Sequence, residues 1–284
     1  MDLSICIVNY NTKDILKKCL RSIIFNIKGL KTQIIVVDNG SSDKSTEMVE
    51  KYFPKITLIK NKYNLFFSKA NNQAINISKG KFILIMNSDI IIKNNSLKKL
   101  IDYMKSSSNV AALTCKLVNF DNNMLENVRK YHTVLSMIFK CEIMEKIFKN
   151  NKWIQNNLRI NKWDLKSINK IDVAEDSFLL IRQKTLKKIG YYDEKLSLYY
   201  TEDDLCLRIK NEGMSVYYYP FVKIYHGVHQ TAKQLGNIPI MKIRVKDQYI
   251  YCKKYFKIYE VILIMSIAII DLIILMIIES FRIK

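Results

Sequence analysis

Over its first 120 residues the chain alternates short, β-branched apolar runs with segments of helical periodicity, and this alternation restricts the available folds more than any other feature. Strand-like runs fall at residues 3–8, 33–37, 56–59, 82–86 and 110–117, and helical patterns at 13–25, 44–52, 68–78 and 96–104. In the first helical pattern Ile15, Leu16, Cys19, Leu20 and Ile23 share one face. Strand and helix in strict succession predict an α/β domain whose mostly parallel sheet is covered on both faces. Ligands of such sheets collect outside the carboxyl ends of the strands, so chemistry is sought just after each strand.

The tip of the second strand reads Val37-Asp38-Asn39-Gly40-Ser41-Ser42-Asp43, an acid followed by a glycine turn and a Ser/Asp helix cap. The fourth strand ends Met86-Asn87-Ser88-Asp89, a second acid on the same edge. Turn and cap chemistry accounts for either one alone, but two converging carboxylates form a site for a divalent cation and, through it, a nucleoside diphosphate. Further on, Glu202-Asp203-Asp204 places three acids in succession in a chain of net charge +20. Helix capping uses one of them, and proton removal from an alcohol would use another. His226, after a strand-like run at 221–225, adds a nitrogen donor for a transition metal, with His229 as its competitor. The basic, Asn-rich stretch 120–169, with His132, Trp153 and Trp163, has no readable pattern. Regular signals return at 173–181, in helices at 184–189 and after Asp203, and in a strand at 215–219.

The excess of 46 Lys and Arg over 26 Asp and Glu suits an anionic partner, but the lysines are scattered and compositional drift explains them as well. Six dispersed cysteines exclude a zinc module and fit a reducing, cytosolic setting, and Met1-Asp2 leads straight into a strand, so no secretory leader is expected. The tail 261–278 is apolar apart from Ser266 and Asp271, with Lys253, Lys254 and Lys257 before it and Arg282 and Lys284 after it. Its length sits at the lower limit of a membrane span, and Asp271 at a bilayer centre would cost about 2.5–3.5 kcal/mol. Membrane contact is expected, by shallow insertion or by a span; the alternative is a buried or oligomerising helix.

In this order the motifs resemble glycosyltransferase family 2, inverting nucleotide-sugar transferases of the GT-A fold, and within it the rhamnosyltransferase-like bacterial members. The resemblance rests on Ser4-Ile5-Cys6-Ile7-Val8-Asn9-Tyr10-Asn11, Val37 to Asp43, Asn64-Leu65-Phe66-Phe67-Ser68-Lys69-Ala70-Asn71-Asn72, Met86 to Asp89, Gly190-Tyr191-Tyr192-Asp193-Glu194 and the acidic cluster with Arg208; it runs from residue 3 to about 229. It implies a GT-A-type domain over 1–232 with a Rossmann-like central sheet. Residues 1–118 would be its nucleotide-binding half and 119–232 its acceptor and catalytic half, followed by a membrane-associating hydrophobic helical tail at 233–284.

By the same resemblance Asn9, Tyr10 and Asn11 contact the nucleotide base, Asp38 accepts from it, and Asn71, Asn87 and Asp89 complete the nucleotide-sugar site. Asp89 and His226 would hold Mn²⁺ or Mg²⁺. The acceptor, a glycan or polyprenyl-linked hydroxyl at the cytoplasmic face of the membrane, would lose its proton to Glu202 or Asp203, and cell-surface polysaccharide would be the product. The family's Glu-Asp-x-Asp-Leu is one residue short here: alignment from Leu205 backwards selects Glu202, and alignment from Thr201 forwards selects Asp203, the preferred base. Asn87-Ser88 stands where the family has Asp or Asn-Pro, and Phe66 where it favours glycine. A nucleotidyltransferase would carry a glycine-rich phosphate loop after the first strand, but Asn9-Tyr10-Asn11-Thr12-Lys13 has no glycine. A non-catalytic protein binding nucleic acid or membrane would focus its charge on one face, whereas here it is dispersed, so no nucleic-acid partner is expected; oligomerisation is left open.

Overall fold

The computed structural model describes residues 1–139, 151, 165–227 and 236–282. His229, Trp153 and Trp163 lie outside them. The chain order is β1 (Leu3–Asn9), α1 (Lys13–Asn26), β2 (Thr32–Asp38), α2 (Ser45–Tyr52), β3 (Thr57–Lys60), α3 (Phe66–Asn76), β4 (Phe82–Asn87), β5 (Ile90–Ile91), α4 (Ser96–Ser106) and β6 (Val110–Val118). There follow β7 (Val128–Arg129), α5 (Val134–Phe139), β8 (Asn169–Ile171), β9 (Val173–Ala174), β10 (Phe178–Arg182), α6 (Gln183–Ile189), α7 (Thr201–Asn211), β11 (Ser215–His226), α8 (Asn237–Tyr255) and α9 (Ile258–Arg282).

The main sheet runs β3-β2-β1-β4-β10-β6-β11-β5, with β8 pairing on β11. From β3 to β4 every pairing is parallel; β10 then enters antiparallel to both β4 and β6. Strand order reverses around β1 and β4, which opens the crevice at their carboxyl ends where a doubly wound sheet takes its ligand. Each strand divides its residues between two cores. Ile5, Ile7, Val36 and Leu84 face the layer of α1, α2 and α4, whereas Cys6, Ile35, Val37 and Ile83 face that of α3, α6 and α7. Hence these strands are apolar throughout rather than alternating.

β11 is far longer than the run 215–219, because that run and 221–225 form one strand. Pro220 has no N–H to give the ladder, and the register with β6 shifts between Tyr219 and Lys223 instead of the strand ending. Asp43 does not cap by side-chain contact with a single helix. Its Oδ2 accepts from Lys13 N at 2.7 Å and its Oδ1 from Ser45 N at 3.0 Å, joining the starts of α1 and α2. The described cysteines Cys6, Cys19, Cys115, Cys206 and Cys252 are free and buried.

α8 lies within the helical tail expected over 233–284, but it packs into the body. Tyr251 and Cys252 pack with Leu196, Tyr200, Met137 and the first turns of α9 in a third apolar cluster. On α9 the residues Val261, Ile264, Ala268 and Asp271 are buried, while Ile262, Leu263, Ile269, Ile270, Ile273 and Ile277 on the other side are exposed. The one acid within the apolar run therefore faces the protein. Residues 258–278, whose most apolar 18-residue stretch has a mean hydropathy of 3.2, are long and apolar enough to cross a membrane.

Candidate active site

A cavity of about 340 Å³ opens at the carboxyl ends of β1, β2 and β4. Tyr10, Asn39, Asn64, Phe66 and Phe67 line one part; Asn87, Asp89, Glu175, Asp176, Glu202 and His226 line another, with Leu198 and Tyr199 also in the wall. Of the sequence-derived residues, Tyr10, Asn87, Asp89, Glu202 and His226 reach the cavity, whereas Asn9, Asn11, Asp38, Asn71 and Asp203 do not line it.

Those five stand behind the wall. Asp38 is buried and accepts from Asn9 Nδ2 at 2.8 Å and from Ser41 N at 2.9 Å, so one oxygen ties the β1 tip to β2 and the other closes the turn after β2. Asn9 Oδ1 accepts from Thr12 at 2.6 Å, and Asn11 Oδ1 accepts from Ser42 N at 2.7 Å. Gly40, at φ +82°, lies against the Tyr63 backbone, where an added Cβ would come within 2.8 Å of Tyr63 Cα; no other residue fits that turn. Asn71 Nδ2 donates to Phe67 O at 3.0 Å inside α3.

The three acids of α7 stand in its first turn, where the helix dipole favours negative charge, and each also has a cation. Arg129, in the short β7, reaches Glu202 Oε1 at 2.6 Å and Asp203 Oδ2 at 2.5 Å from its Nη2, while its Nε donates to Asp203 Oδ1 at 3.2 Å. His132 Nε2 stands 3.3 Å from Asp203 Oδ1. Asp204 accepts from Arg208 Nε at 2.8 Å, Lys254 Nζ at 2.5 Å and Tyr255 Oη at 2.6 Å, the last two from α8. Asp203 and Asp204 are thus enclosed, and Glu202 is the member of the cluster that faces the cavity.

Beside it lies an acid pair that sequence reasoning passed over, Glu175 and Asp176. Burial pushes the Glu175 carboxyl up to about 7 against the pull of Arg129. Burial, reinforced by the charge of Glu202, raises Asp176 well above the ordinary carboxylate range. Thr201 Oγ1 lies 2.8 Å from Asp176 Oδ2 and 2.9 Å from Glu202 Oε2, bridging the two. A search of strand exits missed this pair because β10 is antiparallel: its entrance, not its exit, meets the tip of β4, with Asn87 N donating to Ser177 O at 3.0 Å.

Asp89 and His226 are brought together, Nε2 lying 3.2 Å from Oδ1. That Asp89 oxygen is buried and receives no hydrogen bond. Gly227 keeps the space beside it open, since a Cβ there would lie 3.2 Å from Asp89 Cβ. An unpartnered carboxylate oxygen next to an imidazole fits a divalent cation, with diphosphate oxygens and water making up its coordination. Among the described residues no group of three His, Cys, Asp or Glu forms a closed metal cage.

One more carboxylate shapes the wall from a distance. Asp247 of α8 accepts from the backbone N–H groups of Ser197, Leu198 and Tyr199 at 3.0, 2.8 and 3.0 Å. It thereby holds the loop that leads into α7 and supplies Leu198 and Tyr199 to the cavity.

The switch-point cavity and the mixed sheet define a GT-A-type fold, and solved structures bear the fold out. A mannosyltransferase from Pyrobaculum calidifontis in complex with GDP-Man and Mn²⁺ superposes with TM-score 0.60 at 14% identity, over 93% of this chain and 68% of that one. S. aureus TarS 1–349 does so with TM-score 0.55 at 16% identity, over 95% and 71%. The family model for glycosyl transferase family 2 matches residues 4–189, and the chain belongs to that family. Among similar proteins, rhamnosyltransferase WbbL of Escherichia coli is 26% identical over 79% of this chain and 82% of its own length. The dTDP-rhamnosyl transferase RfbF of Shigella flexneri is 26% identical over 87% and 79%. An uncharacterized glycosyltransferase of Methanocaldococcus jannaschii, MJ1057, is 28% identical over 68% of this chain, which spans 60% of that protein.

Proposed function

We propose that the protein transfers a sugar, with inversion, from a nucleoside-diphosphate sugar to a hydroxyl of a glycan or lipid-linked acceptor in cell-surface polysaccharide synthesis, with Glu202 as the base. The observation carrying this reading is that Glu202 shares one cavity with Asp89 and His226, while Asp203 is enclosed by Arg129 and His132. Glu202 takes the proton of the acceptor hydroxyl as its oxygen attacks the anomeric carbon, and the bond to the diphosphate breaks with its electron pair on the leaving oxygen. Arg129 fixes the orientation of the Glu202 carboxylate and sets positive charge behind it. Asp89 and His226 would hold Mn²⁺ or Mg²⁺, whose charge offsets that of the departing diphosphate. The relatives named as rhamnosyltransferases support a deoxyhexose donor.

The exposed apolar side of α9, flanked by Lys253 and Lys257, supports attachment to the cytoplasmic face of an anionic membrane. Such placement brings the cavity to a lipid-linked acceptor.

The test is transfer from a panel of nucleoside-diphosphate sugars, with and without Mn²⁺ or Mg²⁺, by the parent, Glu202→Gln and Asp203→Asn. Glu202→Gln is expected to lose on the order of 10³-fold in kcat with donor binding kept. A Glu202→Gln enzyme running at the parental rate while Asp203→Asn is dead would transfer the role to Asp203.

A further inference from the structure

Phe66 combines an unfavourable backbone with an unusual position. Its φ is +62°, in the left-handed region where a bulky side chain is a true outlier. Such strain persists only where the surroundings over-determine it, and it concentrates at ligand sites. The surroundings here are specific: Phe66 N donates to Asn64 Oδ1 at 2.8 Å, and Phe66 O accepts from Asn39 Nδ2 at 3.1 Å. Asn39 Oδ1 in turn accepts from Leu65 N at 3.0 Å, so an asparagine at the tip of β2 clamps the turn on both sides.

Tyr200 provides a control within the same molecule. It too has a left-handed backbone, at φ +60°, and it too opens a helix at the cavity's border. Its ring, however, is buried and stacks on Tyr251 with centroids 5.3 Å apart, so core packing offsets the strain. Phe66 is absent from all three apolar clusters, and it lines the cavity. Its neighbour Phe67 does the core work, packing edge-on against Tyr192 at 5.4 Å, while Phe67 N donates to Ser197 O at 2.9 Å and ties this turn to the loop before α7.

We infer that Phe66 is a specificity-determining wall of the donor site, its ring packing against a flat apolar face of the nucleoside-diphosphate sugar. This rests on the function proposed above and adds to it. A nucleobase and the C–H face of a pyranose both present such a surface.

The experiment uses the full chain and three variants, Phe66→Gly, Phe66→Asn and Phe66→Tyr. Thermal unfolding is measured, together with direct binding of UDP, GDP and dTDP, each alone and as its hexose or deoxyhexose conjugate, in the presence of Mn²⁺. Glycine and asparagine accept the left-handed backbone, so both variants are expected to unfold at or above the parental temperature while binding the preferred donor on the order of tenfold more weakly, with a flatter preference across the panel. Phe66→Tyr is expected to bind as the parent does. Equal weakening for nucleotide and conjugate would assign the ring to the base, and weakening confined to the conjugate would assign it to the sugar; either supports the wall. A parent that binds a donor together with Gly and Asn variants of unchanged affinity and preference would overturn it, as would a marked fall in unfolding temperature with unchanged binding, which makes the ring structural filler. A parent that binds none of the panel would overturn the proposed function itself, and the wall with it.

Discussion

The two halves of the cavity are held together by different chemistry. On the side of β1 and β2, the strand tips and the turns that follow them are joined mostly by neutral donors: Asn9 and Ser41 on Asp38, Ser42 on Asn11, Asn39 on Asn64. On the acidic side, the α7 carboxylates and Asp247 are matched by cations or amides from a distant segment: Arg129 on Glu202 and Asp203, Lys254 and Tyr255 on Asp204, and Asp247 on the 197–199 loop. Neutral clamps near in sequence yield a rigid platform with few strong dependencies. Charged clamps far apart in sequence concentrate stability and orientation in a few side chains, because removing one partner strands the other in a dry environment.

That contrast is tested most severely by Arg129→Met. Leaving Glu202 and Asp203 without their cation should cost about 3–5 kcal/mol in urea unfolding, with transfer abolished. A loss below about 1 kcal/mol would put the pair on the footing of an exposed ion pair and remove the contrast. Asp247→Ala comes next: three backbone amides lose a charged acceptor, and about 2–3 kcal/mol should disappear together with donor affinity. Asp38→Asn keeps one acceptor oxygen in the neutral clamp and should cost only about 1 kcal/mol.

The smallest effect is a pH dependence. Glu175 titrates near 7 in the folded chain against 4.5 as its ordinary value, so between those limits the folded state holds more of this proton than the unfolded one. Its contribution is greatest below pH 4.5 and is lost as the pH rises through about 7. Because 39% of the side chain is exposed, solvent screening limits the change to about 1 kcal/mol or less. Glu175→Gln should flatten that slope in unfolding measured from pH 4.5 to pH 7.5; an unaltered slope would place its origin elsewhere.

The same contrast decides what was legible in the sequence. The alternation of residues 3–118 marked β1–β4, β6 and the first four helices nearly to their ends, since a strand buried on both faces is an unbroken β-branched run. Asn87 and Asp89 were legible as a parallel strand exit, and Tyr10 through the family resemblance. Glu175 and Asp176 were not, because they enter an antiparallel strand, and neither was Arg129, whose two-residue strand has no period to detect. The order of Glu202 and Asp203 in the cluster needed the helix itself: adjacent residues on α7 are turned about 100° apart, so one faces the cavity while the next faces Arg129 and His132. Asp271 reads as an expensive flaw in an apolar run until α9 is seen to turn it inward.

Asp247 bears on how such a chain can be re-engineered or can drift. A C-terminal segment that merely attached the enzyme to a surface could be exchanged between relatives like a cassette. Here the helix leading to the apolar segment supplies the acceptor that holds one wall of the cavity, so a graft made upstream of residue 247 would carry its donor's wall geometry along with its apolar helix. The backbone turns extended at Phe256, between α8 and α9, but the first turns of α9 still pack on Tyr200 and Tyr251, so a seam that spares this packing lies within α9, past Asp271.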